Sequence, residues 1–281
     1  MPVPGTVGGT LRKVASRLGV VSDQPEQEAR WLLEIALGCD AADLLRLGAQ
    51  SLPAAAAQWL SERVERRLAG VPLPYCLGAW SFYGLEMAVN PAVLIPRPDT
   101  ESLVELALGH LPREGARRVL DLGTGSGAVA LAVARARPEA ELWAVERSPE
   151  ALAVAQSNGR RLGLTVHWLE GDWYASLPAA ARFDLILANP PYLAADDPHL
   201  PALRHEPQEA LLAGPTGLEC LAEIAAEAPA HLVAGGVLGL EHGAEQGEAV
   251  RALLRAAGFD QPRTHRDLAG RERVTSASFP G

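Results

Sequence analysis

The sequence lacks an excess of basic residues. Its 281 residues include 25 lysines and arginines, with Lys13 the sole lysine, against 34 aspartates and glutamates, so the formal net charge is −9. A protein that holds nucleic acid needs a surplus of cations to displace the counterions of the phosphates. Duplex DNA is therefore a poor first hypothesis for a partner, while a local basic patch stays compatible with this balance.

Cysteine is scarce as well. Cys39, Cys76 and Cys220 are odd in number and lie far apart in the chain. This usage fits the reduced thiols of a cytoplasmic protein better than a disulfide or zinc framework. We expect three small buried apolar side chains and no metal site.

Long apolar runs are missing too. None approaches the roughly 18–20 residues that a membrane span requires. Residues 1–6 lack the basic head and the apolar core of a signal peptide. We therefore expect a soluble, cytoplasmic protein without a membrane partner.

The first 72 residues are predicted to be helical, because their apolar residues recur at helical spacing. In the second segment Trp31, Leu32, Ile35 and Ala36 share one face, and Gly38 is placed to end the helix. The predicted segments are Thr10–Leu18, Gln24–Leu37, Ala41–Leu47 and Ala54–Ala69.

Residues 70–74 contain one glycine and two prolines, which interrupt the helical pattern, and we predict a domain boundary there. The residues that follow have the pattern of β-strands, with turn-forming residues at Gly84 and Asn90, and this pattern predicts a β-hairpin. Asp99 or Thr100 is a plausible N-cap for the next helix. The predicted parts are a small all-helical N-terminal domain (1–72), a β-hairpin linker (73–98) and a larger domain (99–281).

From residue 118 onward predicted strands alternate with helices. This alternation is typical of an α/β fold with a doubly wound, mostly parallel sheet and helices on both faces. Such sheets bind ligands beyond the carboxyl ends of their strands, where the strand order reverses. The predicted strands are Arg118–Leu122, Glu141–Val145, Thr165–Leu169, Phe183–Ala188, Val237–Leu240 and two pieces around Thr264 and Val274–Ser278. The predicted helices are Gly127–Ala136, Pro149–Leu162 capped by Ser148, Glu219–Val233 and Ala244–Ala257.

The first of these strands leads into a glycine-rich turn, Gly123-Thr124-Gly125-Ser126-Gly127. Alternate glycines let the backbone approach a ligand, and the following helix offers free N–H groups. Glu146, at the end of the second strand, lies at the distance expected of a carboxylate that holds a ribose. These two features also fit a nicotinamide-dependent dehydrogenase, which they leave open.

Asp172 and Trp173 follow the third strand. A carboxylate and an aromatic ring at this edge suit the amino group and the ring of an adenine. A loop aspartate beside a core tryptophan is an equally good interpretation of the pair alone.

The fourth strand ends in Asn189-Pro190-Pro191-Tyr192. A planar amide or amine nitrogen is a weak nucleophile, because its lone pair is delocalised. The side-chain carbonyl of Asn189 and the backbone carbonyl of Pro190 offer acceptors for its two N–H groups, and the prolines restrict the loop. Tyr192 suits the flat face of such a group. A dehydrogenase has no evident use for this loop, which favours group transfer to a planar nitrogen.

Together these segments resemble the class I methyltransferases that use S-adenosyl-L-methionine. Further motifs make nearly the whole chain similar to the peptide chain release factor glutamine methyltransferases, the protein-(glutamine-N5) methyltransferase family. The additional motifs are Leu94–Glu101, Asp197–His199, Glu241–Gln246 and Asp267–Arg273. The resemblance implies methylation of the glutamine in the Gly-Gly-Gln loop of class 1 release factors.

The resemblance also implies roles for the cofactor side of the site. Residues 123–127 are expected to wrap the methionine part of S-adenosyl-L-methionine. Glu146, which stands where aspartate is common in the family, is expected to hold the ribose hydroxyls. Asp172 and Trp173 are expected to border the adenine.

On the substrate side, the resemblance implies that Asn189 contacts both cofactor and glutamine. Pro190 is expected to act through its carbonyl, Pro191 to stiffen the loop, and Tyr192 to form the flat wall. Residues 96–100 are expected near the substrate mouth, and the N-terminal domain is expected to dock the release factor.

Three other functions remain open from the sequence. One is a glutamine methyltransferase acting on ribosomal protein L3. The sequence of Pro98–Glu101 and the fuller N-terminal region favour a release factor as the substrate instead. The second is a DNA or RNA amino methyltransferase, which the negative charge disfavours. The third is a binding module without catalysis, which the intact Asn189 and glycine turn disfavour.

Overall fold

The computed structural model describes residues 5–281. The first four residues, on which the expectation about a signal peptide partly rests, lie outside this range. The chain divides into two compact units, Met1–Ala79 and Trp80–Gly281. Within the described range, no helix combines the length and the apolar character that a bilayer crossing demands.

The first unit is helical. The buried face of its second helix differs from the predicted one, because it consists of Glu28, Ala29, Leu32 and Leu33, while Ile35 is 44% exposed. A buried carboxylate hid this face from the apolar pattern. Glu28 is paired with Arg67 at 2.8 Å. The helices are α1 (Val7–Leu18), α2 (Pro25–Leu37), α3 (Ala41–Arg46), α4 (Ala54–Leu68) and α5 (Leu73–Leu77).

Helix α5 was not predicted from the sequence. Pro72 and Pro74 looked like a break, but Pro74 lies in the first turn of the helix, where a missing N–H costs nothing. Because α5 packs on α2 and α4, the first unit continues to Ala79, beyond the expected boundary after residue 72. The expected end of α2 is confirmed, since Gly38 takes the left-handed conformation there.

The second unit is an α/β fold that begins with the predicted β-hairpin, whose turn residues Tyr83 and Gly84 both have positive φ. A two-residue turn of this kind matches the twist of the strands. Its strands are β1 (Ala79–Phe82), β2 (Leu85–Ala88), β3 (Arg118–Leu122), β4 (Glu141–Glu146), β5 (His167–Glu170), β6 (Phe183–Ala188), β7 (Leu193–Ala194), β8 (Leu212–Gly214), β9 (Leu232–Glu241), β10 (Asp260–Arg266) and β11 (Glu272–Ser278). Its helices are α6 (Glu101–His110), α7 (Ala128–Ala136), α8 (Pro149–Leu162), α9 (Glu219–Glu227) and α10 (Gly247–Ala256).

Seven strands form the central sheet in the order β10-β11-β9-β6-β3-β4-β5. Strands β3, β4, β5, β6 and β9 are parallel, and β11 and β10 add an antiparallel edge. The chain moves from β3 to β4 and β5 on one side, and then returns to β6 on the other. The strand order therefore reverses between β3 and β6, as the predicted doubly wound fold requires.

Two elements of the second unit differ most in extent from their predictions. Strand β9 has ten residues rather than four, because it runs between β6 and β11 and is buried from Val237 onward. Helix α9 stops at Glu227 and continues as a short 3-10 turn through Pro229, which cannot donate a helical hydrogen bond. The predicted cap of α8 is confirmed, since the Ser148 hydroxyl accepts from Ala151 N at 3.2 Å.

The expected cap of α6 is wrong in its chemistry. A 3-10 turn, Pro98–Thr100, leads into the helix, and Thr100 occupies the N-cap position without a side-chain capping bond. Asp99 instead pairs with Arg273 at 3.0 Å. Both side chains have partners outside their own helix, which the local sequence pattern does not reveal.

Candidate active site

A cavity of the second unit lies at the carboxyl ends of β3, β4 and β6, where the strand order reverses. Its volume is about 310 Å³. Residues from all three strand ends line it, together with the segment before α6 and part of α9. One cavity therefore collects side chains that are far apart in the sequence.

Most of the predicted site residues line this cavity. Three do not: Gly127, Pro190 and Tyr192. The backbone of Gly127 opens α7, Pro190 is buried, and Tyr192 packs against the core of the sheet. The predicted residues in the lining are Gly123, Thr124, Gly125, Ser126, Glu146, Asp172, Trp173, Asn189 and Pro191.

The backbone of the glycine turn, residues 123–127, allows a ligand to approach it closely. Gly123, Gly125 and Gly127 all have positive φ, between 56° and 82°. A Cβ atom on Gly123 would lie 3.2 Å from the Trp173 ring, whereas one on Gly125 would meet nothing within 4 Å. Because Gly125 lines the cavity, the space beside it is open to a ligand.

Glu146 organises the same turn. Its carboxylate accepts hydrogen bonds from Gly125 N at 2.8 Å and Ser148 N at 2.9 Å, while the side chain still borders the cavity. Each carboxylate oxygen has two lone pairs, so both keep a site for a further donor. The residue thus joins the ends of β3 and β4 and presents negative charge to the cavity.

Asp172 and Trp173 form the far wall. Asp172 is exposed, and its contact with Arg147 at 4.0 Å is a weak surface pair. Trp173 has a φ of 43°, a rare conformation for a large side chain, and its indole N–H donates to Glu223 Oε2 at 3.1 Å. The strained backbone and this bond set the ring against Gly123.

Asn189 stands at the end of β6, directly after Ala188. Its Nδ2 donates to Thr100 Oγ1 at 3.1 Å, so the amide nitrogen is engaged within the protein. The loop that follows is held from behind, because Gln246 Nε2 donates to the Tyr192 carbonyl at 3.0 Å. Burial raises the pKa of the Tyr192 hydroxyl to about 12, so the phenol is neutral at physiological pH.

Asp121, Cys220 and Glu223 are among the cavity residues that were not predicted, and Thr100, from the segment expected near the substrate mouth, also lines the cavity. Asp121 accepts from Thr124 Oγ1 at 2.6 Å and from Ala130 N at 3.2 Å, and burial raises its pKa to about 7. Its place two residues before Gly123 was a usable signal. Cys220 and Glu223 belong to α9 and line the cavity because this helix packs beside it. The amphipathic pattern of α9 does not indicate a role in a binding site.

His242, which follows the buried Glu241 at the end of β9, has a structural role. His242 has no exposed surface, and its ring bonds to the Gly243 carbonyl and to Thr275 Oγ1, each at 2.8 Å. Burial lowers its pKa, so it is a neutral buried histidine. Across residues 5–281, His, Cys, Asp and Glu side chains form no group that could hold a metal ion.

Asn158 of α8 connects the glycine turn to the hairpin. The side chain is fully buried, and its Nδ2 donates to Ser126 O at 2.9 Å and to Ala88 O at 3.1 Å. Its Oδ1 accepts from Ala88 N at 2.8 Å. One amide therefore ties strand β2 to the floor of the cavity.

Replacing Gly127 by alanine is expected to destabilise the fold. Besides the positive φ, the new Cβ would lie 3.1 Å from Leu131 and from Trp168. Gly163→Ala is the matched control, because Gly163 has a similar φ but open space. We expect a loss of roughly 1 kcal/mol for the control and about 1–3 kcal/mol more for Gly127→Ala. Urea unfolding measures both, and equal losses would contradict the packing argument.

Comparisons with known proteins agree with this geometry. Residues 10–78 match the family model described as PrmC N-terminal domain, and residues 99–205 match the methyltransferase small domain. A release factor glutamine methyltransferase of Bordetella pertussis is 51% identical over 89% of this chain and 94% of its own. One from Burkholderia pseudomallei is 45% identical over 100% of this chain and 98% of its own.

Among solved structures, the second unit's fold is also found in a Thermus thermophilus 16S rRNA N2 G1207 methyltransferase in complex with AdoMet and guanosine. The TM-score is 0.55 at 25% identity. The match covers 72% of this chain and 49% of that protein's chain. The fold is thus that of class I methyltransferases.

Proposed function

This chain belongs to the release factor glutamine methyltransferase family, and from that premise we propose its reaction. It transfers a methyl group from S-adenosyl-L-methionine to the side-chain amide nitrogen of the glutamine in the Gly-Gly-Gln motif of class 1 peptide chain release factors. The observation that carries the proposal is Asn189, which lines the same cavity as the glycine turn and has its amide nitrogen bonded to Thr100.

The residues of the cavity fit S-adenosyl-L-methionine. The open space beside Gly125 admits a ligand against the backbone, and Glu146 keeps acceptor sites for ribose hydroxyls. Trp173 and Asp172 suit the adenine, and the glycine turn suits the methionine part. When bound, the cofactor supplies an electrophilic methyl group on a sulfonium.

On the substrate side, the Asn189 Oδ1 and the Pro190 carbonyl accept the two N–H bonds of the glutamine amide. This orients the nitrogen lone pair, which is the main requirement when a methyl group moves to a neutral nitrogen. Pro191 narrows the conformations of the loop, and Gln246 holds the Tyr192 carbonyl. Tyr192 packs against the core of the sheet outside the cavity lining, and we assign its ring as the flat wall beside the substrate amide.

Tyr192→Phe is expected to change turnover by less than about threefold, whereas Tyr192→Ala lowers it by about tenfold, since a stacked ring contributes roughly 1 kcal/mol beyond its burial. The reason is that a hydroxyl with a pKa of about 12 stays neutral and takes no proton. The pH–rate profiles of wild type and Tyr192→Phe between pH 7 and 10 check this. An alkaline limb present only in the wild type would assign the hydroxyl a role.

The N-terminal domain, proposed as residues 1–72, would help to dock the protein substrate, and residues 73–98 are proposed as a β-hairpin linker. The domain supports this by its position and its amphipathic helices. Because the first compact unit ends at Ala79, the variant to make is a deletion through residue 79. Unchanged activity of a folded deletion variant on an intact release factor would refute docking. The cytoplasmic location also stays a prediction, supported by three free cysteines.

An amino methyltransferase of RNA is the second candidate, because the 16S rRNA enzyme shares the fold. The net charge of −9 supports a protein substrate instead. A glutamine methyltransferase acting on a ribosomal protein is a further alternative. It would use the same Asn189 chemistry.

The experiment is methyl transfer from labelled S-adenosyl-L-methionine to purified release factor. A release factor whose Gly-Gly-Gln glutamine is changed to alanine is the control, and mass spectrometry locates the label. We expect label on the intact factor alone. Label on neither, with the cofactor bound, would overturn the proposal, and ribosomal proteins and RNA fragments would be assayed next.

A further inference from the structure

The proposed reaction requires the side-chain oxygen of Asn189, rather than its nitrogen, to face the substrate. The oxygen and nitrogen of a carboxamide have nearly the same size, so packing alone does not decide which one faces a substrate. Only the oxygen can accept an N–H. In the structure the nitrogen donates to Thr100, whose side chain is buried at the entrance to α6.

Glu241 lies on the other side of this amide. Strands β6 and β9 are parallel neighbours, with Ala188 opposite Leu240, so the next residues, Asn189 and Glu241, lie level at the strand ends. The Glu241 side chain is 1% exposed, and the neighbouring Thr100 and Asn189 side chains both lower the pKa of its carboxyl group. Its Oε2 has no hydrogen-bond partner.

We propose that Glu241, together with Thr100, is a positioning residue that keeps the Asn189 nitrogen turned into the protein and its oxygen free to accept the N–H of the substrate glutamine. This rests on the proposed function, because it concerns the acceptor of that reaction. Glu241 lies outside the cavity lining and acts through Asn189 alone.

Electrostatic interactions favour the observed orientation of the Asn189 amide over the reversed one. In the observed orientation, Asn189 Nδ2 donates to the Thr100 hydroxyl, and we assign its second N–H to the Glu241 carboxylate, whose buried Oε2 has no other partner. A reversed amide would place its carbonyl oxygen against the carboxylate and leave a buried acceptor unpaired, which costs about 1–3 kcal/mol. Hydrogen bonds to an ionised group are roughly twice as strong as neutral ones, so the ionised carboxylate orients the amide better than the neutral acid.

The charge on Glu241 depends on its surroundings. Burial raises its pKa to about 7, opposed by the nearby Thr100 and Asn189 side chains and by the positive charge of Arg273, while Asp99 adds to the rise. Arg273 is itself buried and is shared with Asp99 at 3.0 Å and Asp267 at 3.6 Å. The other titratable neighbours, His242 and Tyr192, are neutral near pH 7 because burial lowers the pKa of the first and raises that of the second.

A double-mutant cycle tests the inference. Glu241→Gln keeps the shape but can present either end to Asn189, so we expect turnover to fall about tenfold, with unchanged affinity for S-adenosyl-L-methionine. In an Asn189→Ala background the same change should have no further effect. The wild-type turnover should rise with pH through about 7, and Glu241→Gln should remove this rise. Additive losses in the cycle would overturn the proposal.

Glu206→Gln is the matched control. Glu206 is another buried carboxylate of the second unit, which accepts from Ile95 N at 3.1 Å and pairs with Arg97. We expect its effect to be additive with that of Asn189→Ala. If Glu241→Gln does not fold, Thr100→Val, which has the same shape, takes its place in the cycle.

A second measurement needs no substrate. The side-chain NH₂ resonances of Asn189 in ¹⁵N-labelled protein, assigned with Asn189→Ala, should shift with a midpoint near pH 7 in the wild type. The shift should disappear in Glu241→Gln. Persistence of the shift would refute the role of Glu241, whereas failure of methyl transfer with a normal titration would refute the proposed reaction alone.

Discussion

Turnover of methyl transfer is expected to fall by a factor of about 10²–10³ when Asn189 is replaced by alanine, the loss typical of one removed transition-state acceptor or donor. The Asn189 oxygen is the side-chain acceptor proposed for the substrate amide. S-adenosyl-L-methionine affinity should weaken only slightly, because the glycine turn and Glu146 hold the cofactor from the other side. Single-turnover rates and calorimetry separate the two quantities.

Asn90→Ala is the control for this substitution. Asn90 is an exposed asparagine of the second unit whose side chain accepts from Ala92 N at 2.9 Å. Its replacement should leave turnover nearly unchanged. If Asn189→Ala weakened cofactor binding as much as it lowered turnover, Asn189 would be mainly a cofactor ligand and the proposed acceptor role would be wrong.

Loss of Glu146 is expected to have the second large effect, on cofactor affinity rather than on chemistry. Hydrogen bonds to a charged group contribute about 1.5–3 kcal/mol each, so Glu146→Ala should raise the dissociation constant of S-adenosyl-L-methionine about 100-fold. The variant also leaves Gly125 N and Ser148 N without their partner. Isothermal calorimetry measures the constant directly.

Two further variants interpret that result. Glu146→Gln keeps an acceptor of the same length without the charge, so its loss should lie between wild type and alanine. Glu150→Ala removes an exposed carboxylate in the first turn of α8 and should leave binding unchanged. An unaltered dissociation constant in Glu146→Ala would exclude the ribose role.

Much of the fold follows from local patterns. The strands from Arg118 and Phe183 and the capped helix from Pro149 have the predicted bounds, because short apolar runs and a Ser-Pro start are strong signals. The alternation of strands and helices also predicts that the strands from Arg118 and Phe183 are neighbours where the strand order reverses. The gathering of the glycine turn, Glu146 and Asn189 at one edge was therefore foreseeable.

What the local patterns miss are residues whose partners come from elsewhere in the chain. Thr100 looks like a helix cap but bonds to Asn189, and Glu28 hides the buried face of α2 because its charge is paired with Arg67. Glu223 reaches Trp173 only through the packing of α9. Each of these depends on tertiary contacts that no window of sequence contains.

The buried amide of Asn158 links the hairpin to the cofactor site energetically. Opening of strand β2 at Ala88 must break two of its hydrogen bonds, and the third holds Ser126 in the glycine turn. A ligand that binds only the closed turn lowers the population of open forms in proportion to its occupancy. Hydrogen–deuterium exchange at the Ala88 peptide therefore slows as the site fills, so a position outside the cavity reports its saturation.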